Sequence, residues 1–239
     1  MAFGTERKAV FTGTTVDQAV FDEGLRAHML RVYNYMASGI ALTGIIALLA
    51  VSSPALMNAI YSTPLQWVVM LAPLAFVLFL SFGLHRMSFF SAQAVFWMFS
   101  AAMGLSLSYI FLLYTGGSIA RVFFITAGAF AGMSLFGYTT KKDISGWGSF
   151  LIMGLIGIII AMVVNIWLAS PAIHFAISVI GVLVFAGLTA YDTQNIKNEY
   201  AEHYDEETSG KLAISGALRL YLDFINLFIM LLHLFGNRD

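Results

Sequence analysis

The sequence predicts an all-α integral membrane protein with seven transmembrane helices. Hydrophobic residues make up 59% of the 239 positions and charged residues only 10%, whereas about 25% of the residues in an ordinary soluble domain are charged. A helix needs about 20 apolar residues to cross a bilayer, and long uncharged intervals divide the chain into segments of that length. The predicted organisation is an amino-terminal segment 1–31, a membrane domain 32–235 and a carboxyl-terminal tail 236–239.

Turn-forming residues set the limits of the predicted spans. The uncharged interval between Arg31 and Arg86 is interrupted near its middle by Ser-Pro and Thr-Pro pairs, which favour turns. Thr115-Gly116-Gly117 separates the third span from the fourth, and Ala169-Ser170-Pro171 separates the fifth from the sixth. The predicted spans are about 32–51, 66–84, 91–114, 118–138, 148–168, 171–191 and 212–235.

The last part of the chain is more polar than the rest. Segment 192–211 carries seven charged residues in addition to Asp192, so we expect an aqueous loop there. The seventh span is the weakest of the set because it contains polar and charged side chains. A full crossing would place the carboxyl terminus outside, whereas a re-entrant segment would return it to the starting side, and both arrangements remain open at this stage.

The distribution of Lys and Arg predicts the orientation. The loops on the side of the amino terminus contain Arg7, Lys8, Arg26, Arg31, Arg86, Lys141, Lys142, Lys197 and Lys211. The opposite loops, 52–65, 115–117 and 169–171, contain neither residue type. Positively charged loops remain in the cytoplasm, and residues 1–31 contain no apolar core typical of a signal peptide. We therefore expect a cytoplasmic amino terminus and, without an organelle signal, a bacterial plasma (inner) membrane.

Composition also excludes several classes of function. The net charge of −1 shows no basic surplus of the kind that binds nucleic acid. The absence of cysteine removes disulfides, thiolate metal sites and cysteine nucleophiles. We expect no cofactor and no enzymatic activity.

Asp223 is the clearest candidate for a functional residue. A charge at the centre of a spanning helix costs about 2.5–3.5 kcal/mol on insertion scales, so such residues usually face the protein interior and serve a function. Arg219, Asn226 and His233 project within about 80° of Asp223 on a helical wheel. This polar stripe is predicted to face the interior of the bundle. A structural alternative is an ion pair between Arg219 and Asp223, which are four residues apart.

Asp192 lies at the predicted cytoplasmic end of span six and could simply be a solvated carboxylate. If it meets Asp223, the two carboxyl groups cannot both ionise freely, and the pair would titrate as a unit. Such a pair could gate a pathway, hold Ca²⁺ through its oxygen atoms or move a proton. Arg86, at the end of span two, is either an orientation anchor or a bridge to Asp192.

Three segments resemble the Bax inhibitor-one, or transmembrane Bax-inhibitor-motif, family. They are YDTQNIK at 191–197, LYLDFINLF at 220–228, and KKD at 141–143 followed by Trp147 and SFL at 149–151. The resemblance covers the chain from span one to the carboxyl terminus, although the second span, 66–84, has no acidic residue where some bacterial members carry one.

The resemblance implies a seven-helix fold with a central seventh helix and a pH-sensitive calcium leak. On matching positions, it makes Asp192 and Asp223 the pH-sensing pair and Arg86 the latch arginine, with calcium and protons as partners beside the lipid bilayer. One alternative is a non-conducting regulator that binds another membrane protein, such as a membrane protease. Aspartyl proteolysis is disfavoured because Leu220-Tyr221-Leu222, and not Gly-x-Gly, precedes Asp223. A retinal-binding protein is disfavoured because the apolar part of span seven lacks a lysine.

Overall fold

The structure is a computed structural model that describes residues 15–201 and 203–237, and it describes side chains from residue 20 onward. Nine α-helices lie within these residues, and a single 3₁₀ turn follows α3 at Leu84–Arg86. The helices are α1 (Thr15–Val51), α2 (Pro54–Tyr61), α3 (Leu65–Gly83), α4 (Phe89–Leu107), α5 (Ile110–Leu113), α6 (Gly116–Thr139), α7 (Trp147–Leu168), α8 (Pro171–Glu199) and α9 (Glu206–Phe235).

Seven of these segments are long and apolar enough to cross a membrane, which confirms the predicted fold class. They correspond to α1 from Val20, α3 with its 3₁₀ turn, α4 with α5, and the four helices α6 to α9. The last helix is continuous over 30 residues, about 45 Å at 1.5 Å per residue. It is therefore long enough for a full crossing, and the helix shows no re-entrant turn.

Two predicted boundaries differ from the structure. Helix α1 begins at Thr15, so the boundary predicted at residue 31 falls within a continuous helix. The predicted loop 192–211 consists mainly of helix ends, because α8 extends to Glu199 and α9 begins at Glu206. The predicted boundaries marked where the apolar part of each span ends. The helices themselves continue past these points, because charged side chains do not interrupt the backbone hydrogen bonds of a helix. Arg7, Lys8 and the last two residues of the tail lie outside the described residues.

Capping residues explain where several helices begin. Ser88, Thr115 and Ser170 each precede a spanning helix and accept a hydrogen bond from a backbone N–H in its first turn. Asp205 does the same for α9 through the N–H of Thr208. Such caps satisfy donors that have no partner within the helix, so these starts are encoded locally in the sequence.

Helix α9 lies at the centre of the bundle and is the most buried of the seven spans. It packs against α8, α1, α6 and α4. Tyr221 is fully buried, and its hydroxyl lies 2.6 Å from the hydroxyl of Thr43 on α1. Thr43 donates its own proton to the carbonyl of Ser100 on α4 at 2.8 Å, so Tyr221 is the donor to Thr43. This chain joins three helices inside the membrane, where no water competes for the hydrogen bonds.

Candidate functional site

The carboxyl groups of Asp192 and Asp223 meet at the contact between α8 and α9. The two carboxyl groups are neighbours and lie close enough to interact electrostatically. Asp223 is buried, with 5% of its surface exposed, and its Oδ2 atom has no hydrogen-bond partner. Asp192 is half-buried. The helices run antiparallel through their connection at 200–205, and this brings residues distant in sequence to the same depth. The structure therefore brings together the two aspartates that the sequence singled out.

Arg219 pairs with Glu199 instead of Asp223. Its guanidinium forms a short ion pair with the carboxylate of Glu199, the last residue of α8. Arg219 also lies close enough to both aspartates to interact with them electrostatically, but it makes no salt bridge with Asp223 in the described part of the chain. The predicted alternative, an isolated Arg219–Asp223 pair, is thus not the observed arrangement. Two charged contacts therefore connect α8 with α9: the acidic pair Asp192–Asp223, and the ion pair Arg219–Glu199 at the end of α8.

The polar stripe of α9 differs from the prediction. Asp223 is buried, but Arg219, Asn226 and His233 are only half-buried. They project within about 80° of Asp223, and this sector is the least covered side of an otherwise enclosed helix. The amide of Asn226 donates to the carbonyl of Leu222 within the same helix at 2.8 Å. Asp223 lies at the edge of this sector and is the one buried residue among these four.

His233 lies at the far end of the stripe, beside the start of α8. Its ring centroid is 4.6 Å from that of His174, and the rings are tilted by 51°. Both histidines line a cavity of about 270 Å³ with Asn165. This end of the bundle is distant from Asp192, which lies in the last turns of α8, so His233 does not join the acidic pair.

Arg86 is not part of the acidic cluster in this structure. It is exposed, in the 3₁₀ turn after α3, and it forms no ion pair with Asp192 or Asp223 among the described residues. The neighbouring connection is instead joined to α9 by Lys211, whose ammonium donates to the carbonyl of Met87 at 3.3 Å and pairs with Glu207. The role of Arg86 as a latch remains a prediction.

A chain of hydroxyl groups lies next to Asp192. Thr193 donates to the carbonyl of Thr189 at 2.7 Å, which leaves its oxygen to accept from Ser134 on α6 at 3.0 Å. Ser134 in turn lies 2.5 Å from the hydroxyl of Tyr33 on α1. If Tyr33 donates to Ser134, Ser134 to Thr193, and Thr193 to the carbonyl of Thr189, each of the three hydroxyl groups has an acceptor. The chain ties α1 and α6 to the turn of α8 that carries Asp192.

Sequence reasoning missed two residues that shape this site. Gln194 accepts from the N–H of Ile144 and donates to the carbonyl of Lys142, both at 2.9 Å, so it attaches the α6–α7 connection to α8. Glu199 is the partner of Arg219. It follows Asp192 by two helical turns, a spacing that places both on one face. The sequence could have predicted that Glu199 lies on the same face as Asp192, but only if the predicted helix had continued past residue 191.

The donor set does not form a metal centre by itself. No group of three or more His, Asp or Glu side chains that could hold a metal ion occurs among the described residues. Asp192 and Asp223 supply two carboxyl groups, fewer oxygen ligands than the six to eight that Ca²⁺ takes. Their role as calcium ligands remains a prediction, and Ca²⁺ would need further oxygen ligands besides these two carboxyl groups.

Comparison with known proteins places the chain in a family. Residues 25–239 match the family model described as "Inhibitor of apoptosis-promoting Bax1". A protein of Rickettsia prowazekii (strain Madrid E) is 48% identical over 225 residues, which cover 94% of this chain and 95% of that protein. The inner membrane protein YbhL of Escherichia coli (strain K12) is 48% identical over 218 residues, covering 90% of this chain and 93% of YbhL. The chain therefore belongs to the Bax inhibitor family of membrane proteins.

Proposed function

We propose that the protein is a pH-sensitive calcium leak in which Asp192 and Asp223 gate the pathway. The observation that carries this proposal is the meeting of the two carboxyl groups at the α8–α9 contact, with one oxygen of the buried Asp223 lacking a partner. A buried, incompletely hydrogen-bonded acid inside a spanning helix is energetically costly, and such residues usually serve a function. The resemblance of the two aspartate segments to the Bax inhibitor motif supports the same assignment.

The gate works through one proton shared by the two carboxyl groups. A hydrogen bond from a carboxylic acid to a carboxylate is charge-assisted and stronger than one between neutral groups. Loss of the proton leaves two like charges, which at about 4 Å repel by roughly 4 kcal/mol at an effective dielectric constant near 20. Gain of a second proton leaves a weaker neutral contact. The leak is therefore smallest where the pair holds one proton, and it rises as the pH moves away in either direction.

The ion pair between Arg219 and Glu199 supports the closed state. It joins the same two helices about two turns from the acidic pair, and Glu199 neutralises part of the charge that Arg219 directs toward the aspartates. Both partners are partly exposed, with 29% and 39% of their side-chain surfaces accessible, so water and salt weaken the contact. This ion pair gives the closed state additional stability, whereas the change in protonation occurs at the aspartates.

The half-open side of α9 is the proposed path of the ion. Its sector carries Ser215, Arg219, Asn226 and His233, while the remaining faces of α9 pack against other helices. Polar side chains that line a pathway can replace part of the hydration shell of a cation. Opening α8 away from α9 would expose the aspartate oxygens, which attract Ca²⁺, to this sector.

The proposed location is a bacterial inner membrane with the amino terminus in the cytoplasm. The relative YbhL is an inner membrane protein, which supports the location. The Lys and Arg bias of the loops supports the orientation. We propose no enzymatic activity, because the acidic pair lacks the glycine motif of aspartyl proteases.

Calcium flux into liposomes tests the proposal. The full-length protein is reconstituted in vesicles that contain a calcium dye, and flux is recorded from pH 5 to 9 for the wild type, Asp223→Asn and Asp192→Asn. Asp22→Asn, which changes an exposed carboxylate on α1, is the matched control. We expect both site variants to lose the pH dependence and the control to retain it.

Two outcomes would overturn the proposal. If Asp223→Asn leaves both the flux and its pH profile unchanged, the acidic pair is not the gate. If the wild type conducts no calcium at any pH but co-purifies with a second membrane protein, the non-conducting regulator is the better account.

A further inference from the structure

A long groove separates α1 from α6 on the surface of the bundle. Its volume is about 630 Å³, within the range of about 300–1,000 Å³ that is typical of ligand sites. It runs along α6 from Phe130 to Tyr138, about 12 Å at the helical rise. Leu30 on α1 and Ala131 on α6 line its walls and are exposed. Because α1 and α6 both cross the membrane, this groove opens toward lipid.

The groove is apolar along its length and cationic at one end. Arg26 lines the end near Tyr138 and forms no ion pair with the side chains that the structure describes. Lys197 lies beside this end without lining the groove: its ammonium donates to the carbonyl of Tyr138 at 2.9 Å and lies 5.2 Å from the centroid of the Tyr138 ring. Asp22 and Glu23 precede Arg26 by about one turn and do not line the groove. An elongated apolar groove with Arg26 at its interfacial end complements an acyl chain attached to an anionic headgroup.

We infer that the groove between α1 and α6 binds one anionic phospholipid, with an acyl chain against Phe130 and Ala131 and the phosphate beside Arg26. Arg is suited to this contact because its planar guanidinium can bind phosphate oxygens in pairs. Tyr138 lies where aromatic residues commonly occupy the interface between headgroups and acyl chains. The inference does not depend on calcium conduction.

The bound lipid would also cover part of the hydroxyl chain beside Asp192. Tyr33 and Ser134, which hydrogen-bond to each other, line the same groove. Ser134 continues to Thr193, the residue after Asp192. A lipid seated here would shield this contact from water and hold α1 at a defined distance from α6.

Native mass spectrometry of the full-length protein tests the inference. The protein is reconstituted in nanodiscs of phosphatidylcholine with a minor fraction of phosphatidylglycerol, released in mild detergent, and the lipids retained on it are counted. We expect the wild type to retain one phosphatidylglycerol in preference to phosphatidylcholine. Arg26→Gln should reduce this preference about fivefold, since one cation near the membrane surface contributes about 1 kcal/mol to the binding of an anionic lipid.

Three further variants separate this site from the general lipid shell. Ala131→Trp fills the groove and should abolish the retained lipid, whereas Ala129→Trp on an exposed position of the same helix should not. Lys141→Gln removes an exposed cation at the same end of the bundle, outside the groove, and should leave the preference unchanged. If the wild type retains both lipids equally, or if Arg26→Gln and Lys141→Gln lose the preference for phosphatidylglycerol to the same extent, the bound lipid is non-specific and the inference is overturned. Arg26 is exposed, so its variant is expected to fold even if Ala131→Trp does not.

Discussion

The replacement of Gly137 by alanine tests the closest helix contact beside the acidic pair. Gly137 is buried on α6, and a methyl group at this position would overlap the carbonyl oxygen of Ala190 on α8 and lie 2.9 Å from its Cα atom. Carbon atoms pack at about 3.5–4.0 Å, so the two backbones must move apart by up to about 1 Å. Both obstructing atoms belong to a helix backbone and cannot rotate away.

The expected loss of stability follows from this displacement. Overpacking of a tight contact costs about 1–3 kcal/mol, while alanine gains about 0.5–1 kcal/mol over glycine in helix propensity. We therefore expect Gly137→Ala to lower the free energy of unfolding by about 1–2 kcal/mol. The separation would also lengthen the hydrogen bond between Ser134 and Thr193, now 3.0 Å, which lies near the same contact.

Gly132→Ala is the matched control, because Gly132 lies on the same helix and its methyl group would meet no atom within 4 Å. Both free energies are measured by reversible unfolding with dodecyl sulfate in bicelles. The control is expected to be neutral or slightly more stable than the wild type. If the two variants have equal stability, the close approach of α6 to α8 is not present in the folded protein, and the geometry described for Asp192 would have to be revised.

Three other substitutions give independent tests. Tyr221→Phe removes the donor to Thr43 and should reduce the unfolding free energy by about 0.6 kcal/mol, the average for hydrogen bonds between membrane helices, while Tyr204→Phe at an exposed site should not change it. Gln194→Ala should release the α6–α7 connection, so deuterium exchange at the amide of Ile144 should accelerate, whereas no change relative to Asn195→Ala would contradict the assigned hydrogen bonds. The hydrogen bond from Thr208 lowers the pKa of Asp205 below its usual value. The cap therefore stabilises the fold fully at a pH above the usual pKa of aspartate, and this contribution disappears as the pH falls through the lowered pKa. The melting temperature of Asp205→Ala should therefore lie below that of the wild type at pH 7 and approach it in acid, and a constant difference across this range would refute the assignment.

The sequence by itself determined the properties that depend on residues close together in the chain. The free energy of transferring an apolar helix into lipid is a sum over consecutive residues, so the seven spans could be predicted from the uncharged intervals of the sequence. The breaks between spans near 115 and 170 were likewise predictable, since proline and capping side chains act within a few residues, although Gly116, Gly117 and Pro171 already belong to the helices that follow. Asp192 and Asp223 were recognisable because a charge in an apolar helix is costly wherever the helix packs.

Only the tertiary structure decided which side chains meet. Arg219 could have paired with Asp223 four residues away, but the antiparallel packing of α8 on α9 supplies Glu199 as its partner. Periodicity showed that Arg219, Asn226 and His233 share one side of α9. The neighbours of that side depend on how the other helices pack, and the structure leaves it half-open. The groove beside Arg26 exists because α1 and α6 both pack on α9 without filling the space between them. Contacts of this kind join residues that are far apart in sequence, and no local pattern specifies them.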